Sequence, residues 1–231
     1  MIYITGDLHG ECARFDNPKL KRLKKGDSLI ICGDFGFLWD GGKKEEKFLT
    51  RLGKKKYNIL FVDGAHENYD LLENYPVTEW NGGKVREISG NLRHLLRGQV
   101  FELEGKKIFT FGGGEDSENQ MYIEAGKWWP QEIPSLDEMR EGIRNLTQAG
   151  MSVDYIVTYA PAPRMRQIRD GSRDESSSLE MYFQQLAKNV TYERWFFGSM
   201  HIDRKITTGF HAVFNDIVPL NLPVEGGRRK K

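Results

Sequence analysis

The sequence has few cysteines and no long hydrophobic run. Only Cys12 and Cys32 occur among 231 residues, and no CxxC pair is present. We therefore expect no disulfide scaffold, and we expect the protein to reside in a reducing compartment. No apolar stretch approaches the roughly 20 residues that a membrane-spanning helix needs. A predicted strand starts at the first residue and leaves no room for a signal peptide, so we expect a cytoplasmic protein without a membrane partner.

An excess of charge of one sign is also lacking. The chain carries 34 basic and 33 acidic residues, a net charge of +1, which gives no argument for a nucleic-acid partner. Two local basic runs remain, at residues 19–25 and 226–231. Their simplest interpretation is a solvated helix face and a frayed terminus. A nucleic-acid role would need aromatic interleaving or a basic surface patch, and neither is visible in the sequence.

Length and composition fit one globular α/β domain. Hydrophobic residues make up 39% of the chain and aromatic residues 12%, enough for a full core. The sequence has neither an internal repeat nor a linker. We predict a single domain over residues 1–225 followed by a basic flexible tail, 226–231. The oligomeric state stays open.

The first ten residues hold the strongest local pattern. A short apolar strand, residues 2–5, leads directly into Gly6-Asp7-Leu8-His9-Gly10. In an extended turn, residues two apart point the same way, so the Asp7 carboxylate and a His9 ring nitrogen can converge on one cation. The two glycines allow a tight backbone. Alone, the pair is weak evidence, because short Asp/His pairs also cap helices.

Similar polar clusters follow four further predicted strands. The strands are residues 28–32, 58–62, 154–158 and 194–197, and they lead into Gly33-Asp34, the run 63–68 (DGAHEN), Tyr159-Ala160-Pro161 and Gly198-Ser199-Met200-His201. Ligands of open α/β sheets gather beyond the carboxyl ends of strands. The clusters are therefore expected to meet in space.

The order of these motifs resembles that of the calcineurin-like metallophosphoesterases. Their usual pattern is D-x-H, G-D, G-N-H-[DE], a lone His after a strand, and G-H-x-H. The runs GDLHG, ICGDFGFLW, RGQVFELEGKK and WFFG-x-x-HID are similar to the small stand-alone bacterial or phage-type members. The resemblance spans almost the whole chain. It implies a two-sheet β-sandwich flanked by helices, the α-β-β-α metallophosphoesterase fold, and metal-dependent hydrolysis of phosphodiesters or phosphomonoesters.

The resemblance implies one complete metal site and one degenerate site. The first metal would be held by Asp7, His9, the bridging Asp34 and His201, all present. The second would need Asp34 plus an Asn and two His, at positions that hold Ala65, Tyr159 and Ser199. Ala has no donor atom, Ser is a poor neutral ligand, and a Tyr phenol must lose a proton with a pKa of about 10 to ligate. His66 matches the residue thought to protonate the leaving oxygen or stabilise the phosphoryl group. The alternative is that His66 is a structural residue in a turn.

All three losses fall on one metal, which indicates a one-metal protein of natural or engineered origin. Mixed nitrogen and oxygen donors favour Mn, Fe, Zn or Co over Ca; we expect one such ion, with Mn favoured, and an empty second site. Turnover is expected to be impaired, and the expected partner is a phosphate-containing small molecule or nucleotide. The alternatives are a catalytically inactive nucleotide- or phosphate-binding module, which would be a natural pseudoenzyme or an engineered inactive variant, and an interaction protein that keeps only the fold.

Two smaller expectations concern contacts with the substrate and the branch of the family to which the chain belongs. Arg164 and Arg166 are possible phosphate contacts, because guanidinium groups bind phosphate through paired donors; a solvent role is equally open. Trp39 and Asp40 depart from the DRG motif of the protein Ser/Thr phosphatases, so that branch is disfavoured.

The rest of the chain gives ordinary structural expectations. Helices are predicted at residues 43–52, at 136–149 with a Ser135/Glu138 capping box, and at 179–190. A short helix is predicted at 69–73, with Glu67 and the capping residue Asn68 at its start rather than as metal ligands. Cys32 is expected to be buried as a small hydrophobic residue. Antiparallel strands are predicted at 84–88, 91–96, 99–103 and 107–111, as one side of the sandwich, with His94 as a structural His. Three closing antiparallel strands are predicted at 205–208, 210–214 and 217–220. Residues 35–42 are expected mainly in the core, with stacking on a nucleobase as the alternative, and Gly112–Gly114 are expected to be flexible.

Overall fold

The computed structural model describes residues 1–114, 119–161, 165 and 177–221, and of residues 119–121 only the backbone. The described strands are β1 (Ile2–Thr5), β2 (Ser28–Cys32), β3 (Asn58–Val62), β4 (Val77–Trp80), β5 (Gly83–Ser89), β6 (Leu92–Leu95), β7 (Gln99–Leu103), β8 (Lys106–Phe111), β9 (Tyr155–Thr158), β10 (Arg194–Phe197), β11 (Arg204–Lys205), β12 (Phe210–Ala212) and β13 (Val218–Pro219). The described α-helices are α1 (Pro18–Lys21), α2 (Lys43–Gly53), α3 (Tyr69–Leu72), α4 (Asn119–Glu124), α5 (Leu136–Gln148) and α6 (Ser178–Asn189), with 3-10 turns at Cys12–Asp16 and Pro130–Glu132.

The strands form two mixed sheets. The first has the order β13-β1-β2-β3-β6-β5-β4, and its four central strands, β1, β2, β3 and β6, run parallel. The second has the order β11-β12-β10-β9-β8-β7, with β12, β10, β9 and β8 parallel. Parallel strands are typically buried on both faces and read as continuous apolar runs. The all-buried SLIIC of β2 follows this rule.

Helices cover both outer faces of this sandwich. Alternate residues of β2 point to opposite sides, so Leu29 and Ile31 contact the helix layer of α1 to α3, while Ile30 and Cys32 lie between the sheets. The outer face of the second sheet packs on α5 and α6. The layers are therefore α-β-β-α, and the predicted fold class is confirmed.

Several local predictions are also confirmed. Ser135 and Glu138 form the capping box of α5. Asn68 caps α3 by accepting the Leu71 N–H, and Cys32 is buried. Phe35, Phe37 and Leu38 lie in the core, as expected for most of the loop 35–42.

The pairing of the middle and final strands differs from the prediction. Strands β5 and β6 belong to the first sheet and β7 and β8 to the second, so the run does not form one side of the sandwich. Only the pairs β5/β6 and β7/β8 are antiparallel within that run; β6 pairs in parallel with β3, and β8 with β9. Among the closing strands, β12 is parallel to β10. An alternating pattern identifies a strand but not its neighbour, which depends on long-range packing.

The glycine run 112–114 is packed rather than loosely arranged. All three glycines are buried. A side-chain carbon on Gly112 would lie 2.1 Å from an oxygen of Asp63, so the absence of a side chain allows close approach. Residues 115–118, which complete this predicted loop, and the predicted tail 226–231 lie outside the described residues. Within the described part, no helix is both long and apolar enough to cross a bilayer.

Candidate metal centre

The polar clusters predicted at five strand ends lie at one edge of the sandwich. Asp7 follows β1, Asp34 follows β2, and His66 lies four residues beyond β3. In the second sheet, Tyr159 follows β9 and His201 lies four residues beyond β10. Because these strands are parallel within each sheet, their carboxyl ends meet and bring distant parts of the chain together.

Four of the predicted ligands adopt a backbone conformation that non-glycine residues seldom take. The φ angles are +42° at Asp7, +45° at His9, +46° at Asp34 and +49° at His201. The predicted extended turn at Asp7 and His9 is therefore wrong, since both are left-handed. Such conformations cost about 1–3 kcal/mol each and concentrate at functional sites.

Asp34 is the centre of the cluster. Its Oδ1 accepts the backbone N–H of His66 at 2.9 Å, and its Oδ2 lies 3.0 Å from Nδ1 of His66. Nε2 of His9 lies 3.7 Å from the same Oδ2. Asp34 is completely buried, so these partners replace the water that its carboxylate has lost.

Two groups of possible metal donors share Asp34. One consists of Asp34, His9 and His66, and the other of Asp34, Asp7 and His201; within each group the donor atoms lie within 4.8 Å of one another. The groups touch, because Nε2 of His9 is 3.1 Å from Nε2 of His201. The predicted set of Asp7, His9, Asp34 and His201 is thus contiguous, and His66 lies beside it.

The two buried carboxyl groups have opposite pKa shifts. Burial, and then the charge of Asp34, raises the pKa of Asp7 well above its usual range. Burial also acts to raise the pKa of Asp34, but the hydrogen bond and charge of His66, with the charge of His9, outweigh it and hold that pKa below its usual range. Burial lowers the pKa of His9, which favours the neutral imidazole that can bind a metal.

The donors fit a divalent transition metal. Two carboxyl groups and two or three imidazoles make a mixed oxygen and nitrogen set, which suits Mn, Fe, Co or Zn and is unlike the all-oxygen sites of Ca. Two acidic groups close together in a buried position repel each other unless a cation neutralises them. The backbone N–H of Ser199 also donates to both oxygens of Asp7, at 2.9 and 3.0 Å, and orients that carboxyl group.

The three positions expected to lack second-metal ligands border the same cluster. Ala65 is buried and supplies no donor. The hydroxyl of Tyr159 donates to Oδ2 of Asp34 at 3.2 Å, and its ring packs against Gly33, where a side-chain carbon would lie 2.1 Å from Cδ2 of Tyr159. Ser199 contacts the cluster through its backbone N–H. A phenol ring therefore fills space next to the shared carboxylate.

Sequence reasoning missed the role of Glu67, which it assigned to the start of α3. This side chain is buried and accepts the N–H of Phe35 at 2.7 Å, with the N–H of Gly36 at 3.5 Å. Burial, and then the charge of Asp34, raises its pKa well above the usual range. Glu67 thus holds the loop that follows Asp34. The acidic residue at the end of the G-x-H-E motif was the available signal.

A second buried network lies behind His66. Asp63 pairs with Arg97, whose Nε is 2.9 Å from Oδ2, and its Oδ1 lies 2.9 Å from Nε2 of His94. Tyr69 donates to the same carboxylate at 3.0 Å. His94 is therefore a structural residue, as predicted, while the roles of Asp63 and Arg97 carried no local signal.

An aromatic side chain, Tyr122, packs against His66. The ring of Tyr122 lies 4.7 Å from that of His66, nearly perpendicular to it. Nearby in the chain, Trp129 packs on Trp39 at 6.0 Å and donates from Nε1 to Asp70 at 2.8 Å. The segment that contains α4 is thereby attached to the loop after Asp34. The predicted phosphate contacts Arg164 and Arg166 lie outside the described residues.

Comparisons with known proteins give matches to solved structures and to a family model. One of the solved structures is a phosphopantetheinyl hydrolase from Mycobacterium tuberculosis, which shares 16% identity over 92% of this chain and 89% of its own, with a TM-score of 0.44. A search of curated proteins gives no match. The family model described as calcineurin-like phosphoesterase matches residues 1–203, nearly nine-tenths of the chain. This protein therefore belongs to the calcineurin-like phosphoesterases.

Proposed function

We propose that this phosphoesterase-family protein binds one divalent transition metal, with Mn favoured, through Asp7, His9, Asp34 and His201, and that it hydrolyses phosphate esters at an impaired rate. The observation that carries the proposal is the convergence of two donor groups on Asp34, with all donors of each group within 4.8 Å. Family membership supports a phosphoric-ester substrate and the use of divalent metal.

The bound metal would attract phosphoryl oxygens and lower the pKa of a coordinated water. The protein's own groups would do the rest. His66 is held by Asp34 through both its backbone N–H and Nδ1, so its ring has one fixed orientation beside the donors. Histidine is the usual side chain for protonating a leaving oxygen, and its ring can also donate a hydrogen bond to phosphate.

The impaired rate follows from the second-metal positions. Ala65 and Ser199 offer no good ligand, and the hydroxyl of Tyr159 is directed at Asp34. Loss of one well-placed electrostatic contribution typically lowers kcat by about a hundred- to a thousand-fold. We expect a loss of this order relative to a two-metal form of the same chain.

The contact between Tyr159 and Asp34 also favours a second candidate function. A site whose shared carboxylate is already hydrogen-bonded by a phenol could hold a nucleotide or phosphate without turning it over. In this case the protein is a binding module, and the origin of the three substitutions, natural or engineered, makes no difference to its chemistry.

The test is hydrolysis of a nitrophenyl phosphodiester and a nitrophenyl phosphomonoester with Mn present. The native chain is compared with a triple variant, Ala65→Asn with Tyr159→His and Ser199→His, and with His66→Ala. Mn stoichiometry is measured by titration calorimetry on each protein. The proposal expects one Mn in the native chain, two in the triple variant, and metal-dependent turnover that rises in the triple variant and disappears in His66→Ala.

Other outcomes separate the alternatives. Phosphate or nucleotide binding with no product from the native chain, and turnover in the triple variant, would identify the binding module. If neither Asp7→Asn nor Asp34→Asn changes metal or phosphate binding, the chain is only a scaffold. Equal turnover by the native chain and the triple variant would show that the one-metal proposal is wrong.

A further inference from the structure

Positive charge is concentrated in one part of this nearly neutral chain. Residues 11–56 contain thirteen basic and seven acidic residues, a net charge of +6, whereas the other 185 residues contain 21 basic and 26 acidic residues, a net charge of −5. These two net charges nearly cancel in the whole chain. The position of residues 11–56 in the fold therefore decides whether their positive charge forms a surface patch.

Most of this charge lies on one face of the molecule. Helices α1 and α2 both lie on the outer face of the first sheet, where Leu20, Leu23, Leu49 and Leu52 enter a common core. The ring of Phe15, just before α1, lies 6.3 Å from that of Phe48 in α2. The basic run 19–25, which belongs to α1 and the turn after it, therefore lies on the same outer face as the basic residues of α2 and of the turn that follows it, residues 54–56.

We define the basic face as the twelve Lys and Arg residues of these two segments. They are Lys19, Lys21, Arg22, Lys24, Lys25, Lys43, Lys44, Lys47, Arg51, Lys54, Lys55 and Lys56. Eleven of them are exposed and Lys55 is half-buried. None forms an ion pair with an acidic group of the described residues.

The basic side chains of this face repel one another and few acidic groups offset their charge. Lys43 and Lys44 occupy the first turn of α2, where the helix dipole disfavours cations. Lys47 follows Lys43 by four residues and precedes Arg51 by four, so like charges are neighbours along the helix. Glu45, one of two acidic residues in α2, directs its carboxylate to the backbone N–H groups of the loop 39–41. The positive field is therefore left largely uncompensated.

We propose that the basic face binds the sugar-phosphate backbone of a nucleic acid without sequence preference. Closely spaced phosphates neutralise a row of Lys and Arg and release condensed counterions, which is the usual source of non-specific affinity. Flexible lysines act as point charges toward phosphates and need no fixed geometry. The face thus has the charge and the adaptability that this ligand requires.

The composition of the face argues against an anionic membrane. A helix that lies on a bilayer combines basic residues with exposed Trp, Phe or Leu that enter the acyl region. The large hydrophobic side chains exposed among the described residues are Met1, Val77, Ile123, Leu136, Ile143 and Met181. None belongs to α1, α2 or their flanking turns. The apolar residues of these helices instead face the core.

The test measures binding by fluorescence anisotropy, with a labelled single-stranded DNA of about 20 nucleotides at about 50 mM salt. EDTA is present throughout, so the result does not depend on metal binding or turnover. The test variant is Lys43→Glu with Lys47→Glu and Lys54→Glu. The matched control, Arg140→Glu with Arg144→Glu and Lys188→Glu, makes the same change in net charge on exposed positions of α5 and α6, on the opposite outer face.

The proposal expects at least a tenfold loss of DNA affinity in the test variant and less than a threefold loss in the control. For the native chain, log affinity should fall linearly with log salt, and the test variant should reduce that slope by about 2, near 0.7 for each of three lost phosphate contacts. Circular dichroism checks the fold, and a second variant with Gln at the same three positions separates loss of contact from charge repulsion.

Three results would overturn the proposal. The first is no DNA binding by the native chain at low salt. The second is equal loss in the test variant and the matched control, which indicates an effect of net charge only. The third is tighter binding to phosphatidylserine vesicles, or equal competition by polyglutamate, either of which assigns the face to another polyanion.

Discussion

The hydroxyl of Tyr159 donates a hydrogen bond to Oδ2 of Asp34 at 3.2 Å. Asp34 is the carboxylate shared by both donor groups of the site, and the motif resemblance implies a histidine at the position of Tyr159. The phenol thus contacts the residue that a second metal would contact. It replaces a possible metal bond by a hydrogen bond, and it holds the carboxylate in one orientation.

Tyr159→Phe should therefore weaken Mn binding. The substitution removes only the hydroxyl, so Asp34 loses a donor that orients it while the ring still fills the space beside Gly33. Loss of an outer partner of a metal ligand typically costs about 10- to 100-fold in metal affinity, and we expect the lower end of that range. Titration calorimetry with MnCl₂ measures the change.

The matched control is Tyr155→Phe. Tyr155 lies on β9, the strand that leads to Tyr159, and the substitution removes a hydroxyl that is hydrogen-bonded to Glu193. It should leave Mn affinity unchanged. Unchanged affinity in Tyr159→Phe as well would mean that the phenol does not orient the carboxylate.

Glu67 should stabilise the loop after Asp34 as a hydrogen-bond acceptor rather than as a charge. Burial raises its pKa well above the usual range, and Gln resembles the protonated acid. Glu67→Gln should therefore leave the free energy of unfolding nearly unchanged. Glu67→Ala leaves the buried N–H of Phe35 without its partner, which costs about 1–3 kcal/mol. Urea unfolding of the two variants distinguishes them, and equal losses would contradict the acceptor role.

The sequence was enough to predict the strands that carry the site and most of the residues at their ends. The motifs are local, and the residues Asp7, Asp34, His66 and His201 each follow an apolar run closely. Parallel strands then bring them together without further information, because their carboxyl ends share one edge. The α-β-β-α class followed from the same resemblance.

The sequence could not predict interactions that depend on which strands are neighbours. Asp63 and Arg97 are 34 residues apart, and their ion pair exists because β3 and β6 are adjacent in the first sheet. The hydroxyl of Tyr159 reaches Asp34 across the two sheets, 125 residues away. Likewise, the basic face forms because α1 and α2 lie on the same outer face of the first sheet. Hydrophobic periodicity specifies elements but not these contacts.

Removal of one partner from the buried ion pair between Asp63 and Arg97 should lower the free energy of unfolding strongly. Both side chains are buried, and Asp63→Asn would leave the guanidinium with only the partly exposed carboxylate of Glu138, 3.2 Å from Nη1. Breaking a buried ion pair typically costs about 3–5 kcal/mol in the free energy of unfolding, and because Glu138 remains we expect the lower end of that range. Asp154→Asn is the control, because Asp154 pairs with the exposed Lys106 and its loss should have little effect.

The contribution of Asp63 should also depend on pH. Burial acts to raise the pKa of Asp63, but the charge of Arg97 and the hydrogen bond and charge of His94 outweigh it and hold that pKa well below its usual range. The native state thus stays ionised where the unfolded state, with a pKa of about 3.9, takes up a proton. The stabilisation is fully present above about pH 5 and is lost as pH falls below 4 toward the folded pKa. Urea unfolding of the native chain and Asp63→Asn at several pH values should show the difference shrinking only in acid.

Asp7→Asn should have opposite effects with and without metal. In the metal-free protein, the buried carboxyl groups of Asp7 and Asp34 are close and oppose each other's ionisation, and the pKa of Asp7 is raised by burial and by Asp34. An amide removes this conflict while still accepting the N–H of Ser199. In EDTA near pH 7, the variant should therefore melt at the same temperature or higher, by about 2–4 °C for each kcal/mol gained. Excess Mn should raise the melting temperature of the native chain by mass action and that of the variant much less.

Asp137→Asn, an exposed control on α5, should respond to Mn as the native chain does. If Asp7→Asn is destabilised in EDTA and still stabilised by Mn, Asp7 is a structural residue, and a metal site built on it is wrong.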